Sequence, residues 1–146
     1  MTSRLLRNGV QGLCGIIAVF YCASKGWASP LEIDQAWMPL SPSSMYAGYF
    51  AAKNVTTRSI AIVGFESPQF HSVSLHDIAR SDDRIQMIEI ASIELAPGDS
   101  LLLTPGAKHL MLMGGDQTVK EGDLIGVDVL LADGQRVPIS LLVKAW

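Results

Sequence analysis

Histidine and methionine alternate with leucine in one short segment of this sequence. It reads Lys-His-Leu-Met-Leu-Met and contains His109, Met111 and Met113. In a β-strand, successive side chains point to opposite faces, so these three residues should share one face. Leu110 and Leu112 should take the other face. Such a strand would present one imidazole and two thioethers in a row.

A second histidine and methionine flank a polar run, Arg80–Arg84, that is typical of a hairpin turn. If the hairpin is symmetric about Ser81 and Asp82, His76 lies directly opposite Met87. Their Cβ atoms would then be about 4.5–5.5 Å apart on one face of the sheet. Each of the two segments would thus present a histidine beside a methionine.

The two pairs together predict a four-coordinate metal site with His76, Met87, His109 and Met111 as ligands. Thioethers are soft, uncharged donors that favour Cu(I), and imidazole binds copper in either oxidation state. Zinc structural sites prefer thiolates with imidazole, and calcium and magnesium prefer oxygen. The donor set therefore indicates Cu(I). Met113, which is followed by Gly114-Gly115, is interpreted either as a spare donor next to the ligands or as a residue that caps the core.

The alternative is that these side chains only pack, since methionine on a strand is usually core filler. Met38 and Met45 flank a loop rich in serine and proline, and we interpret both as packing residues. His71 has no methionine two residues away, so we expect it to be structural or exposed to solvent.

The elements that must position these residues are short strands separated by turn signals, with no long segment of helical period. The strands expected are 31–38, 46–53, 59–65, 72–76, 85–90, 100–103, 107–113, 124–131 and 135–143. Asp133-Gly134 is a two-residue hairpin signal, and Pro138 indicates an edge position or a bulge. This pattern predicts an all-β fold, a β-sandwich or a Greek-key barrel.

The first 28 residues have the order of a secretory signal peptide: a basic start, an apolar run and small residues around Ala28. We therefore expect residues 1–28 to be a signal peptide and 29–146 to be one exported, periplasmic domain with no membrane span. The apolar run is shorter than the roughly 20 residues that a spanning helix needs. A lipoprotein is the weaker interpretation, because Tyr21 stands before Cys22 where a small residue is expected.

Composition excludes several functions for residues 29–146. These residues have eight lysines and arginines against fourteen acids, a net charge of −6, which gives no electrostatic reason to bind nucleic acid. The only cysteines, Cys14 and Cys22, precede this domain. A cysteine nucleophile, a Cys-based zinc site and a blue-copper centre are excluded there.

The same residues resemble the PCu(A)C family of periplasmic copper chaperones. That family has a histidine, ten residues, a methionine, twenty-one residues and then His-x-Met. His76, Met87, His109 and Met111 reproduce this spacing without a gap. One departure is Ile85, where many members have an accessory methionine.

The resemblance implies a cupredoxin-like β-sandwich that accepts Cu(I) and delivers it to the dinuclear copper centre of cytochrome c oxidase. The expected partners are the copper-bearing oxidase subunit and other copper-assembly proteins. We interpret the protein as a binding and transfer protein and not as an enzyme. A copper buffer without a delivery partner, and a sandwich that is purely structural, remain alternatives. A copper oxygenase with an N-terminal histidine is disfavoured, since cleavage near Ala28 would leave Ser29 or Pro30 first.

Overall fold

The computed structural model of the protein describes residues 28–146, which form ten β-strands and no helix. The predicted signal peptide lies outside the described residues, except for Ala28. The strands are β1 (Leu31–Pro39), β2 (Met45–Asn54), β3 (Ile60–Glu66), β4 (Phe70–Ser81), β5 (Arg84–Glu89), β6 (Ile93–Leu95), β7 (Ser100–Leu102), β8 (His109–Gly115), β9 (Leu124–Leu131) and β10 (Arg136–Lys144).

The strands form one hydrogen-bonded path in the order β5-β4-β8-β2-β1-β10-β9-β3-β6, and β7 pairs with β2. The long strand β2 belongs to both parts of this path. Its first residues pair with β8, and its later residues pair with β1 and β7. The path is therefore described best as two layers, β5-β4-β8-β2 and β7-β2-β1-β10-β9-β3-β6, and β2 passes from one to the other.

One hydrophobic core joins the two layers. Leu75, Leu110 and Leu112 from the smaller layer belong to the same buried cluster as Val127 and Leu141 from the larger one. Close contact between the layers is visible at Gly48 in β2, where an added Cβ would lie 2.9 Å from Leu141 Cδ1. The all-β sandwich predicted from the strand pattern is confirmed, with the cupredoxin-like architecture.

The β9–β10 hairpin is present where Asp133-Gly134 predicted it, but its loop is one residue longer. Leu131 opposes Gln135, so the loop contains three residues. Gly134 has a φ of +88°, the left-handed conformation that such three-residue loops require near their end. Pro138 pairs with Asp128 of β9 in a part of β10 that precedes its pairing with β1, so its position is locally an edge, as expected.

Two elements differ from the sequence prediction. Strand β6, with only three residues, was not predicted. Strand β4 was predicted as Ser72–His76 but runs from Phe70 to Ser81, since its pairing with β5 continues to the hairpin turn. Within the described part of the chain there is no helix with the length and hydrophobicity needed to cross a membrane.

Candidate metal centre

The two predicted histidine ligands lie directly opposite each other. His76 on β4 is the cross-strand partner of His109 on β8. Their rings are stacked, with centroids 5.9 Å apart and planes inclined at 29°. Two residues separated by 33 positions in sequence are thus brought together by the β4–β8 pairing.

The hydrogen bond of His109 fixes which ring nitrogen has the free lone pair. His109 is 7% exposed, and its Nδ1 lies 3.0 Å from the carbonyl oxygen of Ala107. Because a carbonyl oxygen can only accept, Nδ1 must carry the proton. In the neutral ring, Nε2 therefore keeps its lone pair, as in histidines that bind metals while donating their other N–H to a backbone carbonyl.

His76 has a buried nitrogen without a partner. Its Nε2 lies 2.8 Å from Ser74 Oγ, whereas its Nδ1 is buried and has no hydrogen-bond partner in the described structure. A buried polar atom left unsatisfied typically costs about 1–3 kcal/mol. If Nε2 donates its proton to Ser74 Oγ, the lone pair is at Nδ1 and remains available to an ion.

The methionines of β8 lie on the same face as the histidine pair. Met111 is flanked by Ser74 of β4 and Ala47 of β2 as cross-strand partners. Leu110 and Leu112, in between, are fully buried in the core. The predicted division of this strand into a His/Met face and a leucine face is confirmed.

The predicted pairing of His76 with Met87 is wrong. His76 is opposite Glu89, and Met87 is opposite Ile78. Met87 still shares the face of His76, but it is a diagonal neighbour, for which Cβ atoms are typically about 7–8 Å apart. Its side chain is 60% exposed on the edge strand β5.

The cause of this difference is the position of the turn. Ser81 pairs with Arg84, so the two turn residues are Asp82 and Asp83, and not Ser81 and Asp82. Asp82 has a positive φ of 34°. Aspartate tolerates this region better than most residues, which makes it suitable for the first turn position.

An ion pair joins β4 to β8 one residue away from the histidine pair. Lys108 Nζ lies 3.0 Å from Asp77 Oδ2, and both side chains are half-buried. The hydrogen bond from Lys108 lowers the pKa of Asp77, and the backbone N–H of Ile78 lowers it further. Because Asp77 follows His76 and Lys108 precedes His109, this ion pair spans the two chain segments next to the histidine pair and helps to hold them in register.

Three residues that were not assigned as ligands lie as follows. Met38 is fully buried in the core, which confirms its role in packing. Met45 was also expected to pack, but it is 53% exposed, so that expectation is wrong. Met45 is exposed because it is the cross-strand partner of Met113, which puts its side chain on the histidine face of the sheet and not on the core face. His71 is exposed, as expected, and lies 3.2 Å from Asp116.

Two residues near the histidine pair were missed by sequence reasoning. Ser74 could have been found, because it lies two residues before His76 and alternation puts it on the same face. Glu89 could not have been found from the sequence, since its position opposite His76 depends on which residues form the β4–β5 turn. Among residues 28–146, no three side chains of the His, Cys, Asp and Glu types gather into a possible metal site. Methionines on the face of the histidine pair include Met87, Met111 and Met113.

A family model covers almost the whole of the described chain. The LpqE-like family model matches residues 31–143. The chain belongs to the LpqE-like family. Among curated proteins, this LpqE-like chain is 30% identical over 118 residues to Lxx21020 of Leifsonia xyli subsp. xyli, which is named as a lipoprotein. The match covers 80% of this chain and 71% of that protein.

Solved structures show the same fold for this LpqE-like protein. The copper-bound PCuAC domain of PmoF2 has a TM-score of 0.66 at 21% identity, over 81% of this chain and 95% of that domain. The Cu(I)-bound DR1885 protein of Deinococcus radiodurans has a TM-score of 0.56 at 25% identity, over 84% and 85% of the two chains. The resemblance to PCu(A)C proteins found in the sequence is confirmed at the level of family and fold.

Proposed function

We propose that this protein is an exported copper(I) chaperone that binds one ion through His76, His109, Met111 and Met87. The observation that carries the proposal is the cross-strand histidine pair with a buried Nδ1 of His76 that has no partner. The solved relatives support the choice of metal, because two of them are described as bound to copper or Cu(I).

The histidine pair fits a single ion. With metal–nitrogen bonds of about 2.0–2.1 Å, two imidazoles on one ion have ring centroids up to roughly 6 Å apart. The observed separation is 5.9 Å. The free lone pairs at His109 Nε2 and His76 Nδ1 supply the two nitrogen donors, and each ring is oriented by a hydrogen bond at its other nitrogen.

Thioethers complete the donor set and determine the oxidation state. All four proposed ligands are neutral, so the bound site would have only the single charge of Cu(I), and soft sulfur stabilises that state. Met111 lies two residues from His109 on the same strand and face. Met87 lies on the other side of His76 from His109, at a diagonal position, so its long side chain has to reach past His76 to contact the ion.

Accessibility favours transfer over storage. Met87 is largely exposed and lies on an edge strand, so an acceptor could replace it first while the histidines still hold the ion. Neutral thioethers also bind copper less tightly than thiolates do, which lets a thiolate-containing site take the ion. We infer that the acceptor is the dinuclear copper centre of cytochrome c oxidase, on the copper-bearing subunit, and that the protein acts in the periplasm.

The binding site can be tested by competition titration with Cu(I). We expect one ion per protein, a loss of affinity of at least 100-fold for His109→Ala and Met111→Leu, and a smaller loss for Met87→Leu. Met38→Leu is the matched control, because it replaces a buried methionine with a side chain of similar volume and should keep the affinity. Equal affinity in all four variants would refute the site.

Copper should also stabilise the folded protein, since the unfolded chain has no assembled site. At a free concentration 100 times the dissociation constant, the gain is about 2.7 kcal/mol. Thermal unfolding of the wild type with and without Cu(I) measures it. An unchanged melting temperature under those conditions would contradict a native site.

Delivery can be separated from buffering by a transfer experiment. The copper-loaded protein should pass Cu(I) to an apo oxidase copper domain faster than to a small chelator of similar affinity, because ligand exchange in a docked complex releases no free ion. Deletion of the gene should lower oxidase activity most when copper is scarce. Unchanged oxidase activity together with reduced copper tolerance would instead identify a copper buffer.

A further inference from the structure

The face that carries the histidine pair contains a second group of thioethers. Met113 of β8 is the direct cross-strand partner of Met45 on β2. Met111, two residues earlier on β8, is a diagonal neighbour of Met45 on the same face. We call Met45, Met111 and Met113 the thioether trio.

Burial shows that the trio does not serve the core. A methionine that fills the core here is fully buried, as Met38 is. Met45 is 53% exposed, and Met111 and Met113 are partly exposed. An exposed thioether gains little from packing, and the core-facing positions between them are occupied by Leu112 and Tyr46.

The surroundings of the trio leave space for its sulfur atoms to converge. Met111 has Ser74 and Ala47 as lateral neighbours, and Met113 has Ser72 on its other side. These side chains are short. The direct pair has Cβ atoms about 4.5–5.5 Å apart, and the diagonal pair about 7–8 Å, so three flexible methionine side chains can meet at one point above the sheet.

The backbone at the start of β2 is held in place. Ser43 Oγ accepts a hydrogen bond from the N–H of Met45 at 3.2 Å and donates one to its carbonyl oxygen at 2.9 Å. These bonds fix the Cα of the most exposed member of the trio. Only its side chain then has to be ordered when an ion binds.

We propose that Met45, Met111 and Met113 form a thioether-only position for a soft monovalent ion, adjoining the histidine site and sharing Met111 with it. The inference rests on the proposed function in one respect, namely that the cargo is Cu(I). Because Met111 belongs to both positions, an ion can move between them by exchange of neutral ligands, with no change in oxidation state. The trio then provides a second route for binding or release of the ion. This route lies toward β2, on the other side of the histidine pair from Met87.

Methyl NMR of full-length protein with ¹³C-labelled methionine methyl groups tests the proposal. Ag(I) serves as a redox-inert soft probe, and Cys14→Ser and Cys22→Ser remove the only thiols. In a His76→Gln/His109→Gln protein, one equivalent of Ag(I) should shift the methyl signals of Met45, Met111 and Met113 together. The signals of Met38 and Met87 should not move.

Substitutions then test the donors. In the same background, Met45→Leu/Met113→Leu should weaken Ag(I) binding at least tenfold, and the matched control Met38→Leu, at a methionine buried in the core, should leave it within about twofold. If the double histidine variant does not fold, His76→Gln alone gives the same readout, since removal of one imidazole already shifts the ion toward the trio. Ag(I) binding that leaves the Met45 and Met113 signals unmoved, or no binding at all, would overturn the proposal.

The same Ag(I) titrations distinguish failure of the thioether trio from failure of the proposed histidine site. If the histidine variants bind Ag(I) as tightly as the wild type and Met45 and Met113 shift in both, the trio is supported and the proposed histidine site is refuted. If wild type binds through the histidines and the histidine variants bind nothing, the trio is refuted and the proposed function stands.

Discussion

The β9–β10 and β4–β5 hairpins are built from similar lengths of chain but are fixed by different forces. Strand β10 alternates strictly between buried and exposed residues, and β9 alternates almost as strictly. Every residue of β5 is exposed. In the first hairpin a shift by one residue would turn the core side chains to solvent, whereas in the second it would cost little burial.

The two hairpins are therefore held in place in different ways. The β9–β10 hairpin supplies core residues and is held by the hydrophobic effect. The β4–β5 hairpin presents Met87 on an edge strand, held by backbone pairing and a two-residue turn. The proposed ligand Met87 therefore lies in the hairpin where fewer buried contacts resist local movement.

The largest expected effect on stability comes from a substitution in the core of the β9–β10 hairpin. Leu141 on β10 is fully buried, so Leu141→Ala should destabilise the protein by about 2–5 kcal/mol. Ile85 on β5 is 71% exposed, and Ile85→Ala should change stability by less than about 0.5 kcal/mol. Urea unfolding of both variants measures the contrast. Similar losses would show that β5 packs against the molecule far more than its exposure indicates.

The same contrast explains which parts of the structure could be predicted from sequence. Alternation around Val127, Val129 and Leu141 predicted both strands of the core hairpin. It also predicted the His/Met face of β8, because Leu110 and Leu112 lie between the donors. No residue of β5 is buried, so its burial pattern does not indicate how β5 aligns with β4. The predicted partner of Met87 therefore depended entirely on the assumed turn residues, Ser81 and Asp82. Met45 was misassigned for a related reason: its face depends on pairing with β8, which the β2 sequence does not reveal.

A disulfide tests the corrected register directly. In a Cys14→Ser/Cys22→Ser background, Ile78→Cys/Met87→Cys should form a disulfide, because these residues are cross-strand partners. The closed loop of ten residues should stabilise the protein by about 2–3 kcal/mol relative to the reduced form.

The control is the pair that the sequence alone suggested. His76→Cys/Met87→Cys places the thiols at diagonal positions, whose Cβ separation exceeds the 3.5–4.5 Å of a disulfide. Thiol titration after mild oxidation should find that pair still reduced. Efficient oxidation of this pair, with none between positions 78 and 87, would restore the original register.

The two turns should respond differently to substitution. Gly134→Ala puts a side chain at a φ of +88° and should cost about 1–2 kcal/mol. Asp82→Gly relieves left-handed strain but gives the unfolded chain more freedom, so the net change should stay below about 0.5 kcal/mol. Urea unfolding measures both. A large loss for Asp82→Gly would mean that the aspartate side chain itself stabilises the turn.

The smallest expected effect concerns one carboxylate in each hairpin. Lys108 and the N–H of Ile78 lower the pKa of Asp77, and the backbone N–H and side chain of Gln135 lower the pKa of Asp133. A carboxylate with a lowered folded pKa stabilises the protein above the usual titration range of aspartate. That contribution disappears as the pH falls through the lowered value.

Asp77→Asn and Asp133→Asn should therefore each flatten the loss of stability at acid pH slightly, with a small loss at neutral pH. Asp133 is exposed and Asp77 is only half-buried, so solvent screens both carboxylates and neither effect should be large. The contributions of Asp77 and Asp133 to stability should differ in their dependence on salt. Asp77 is paired with a full charge across two strands, whereas Asp133 is bonded to neutral groups within its own turn. Unfolding at low and high ionic strength should show stronger screening for the Asp77 contribution, since the pKa of Asp133 is lowered mainly by hydrogen bonds to Gln135 and only to a smaller extent by the charge of Arg58. Equal salt dependence would mean that the Asp77–Lys108 pair does not hold β4 against β8 in solution, and the histidine pair would then depend on backbone pairing alone.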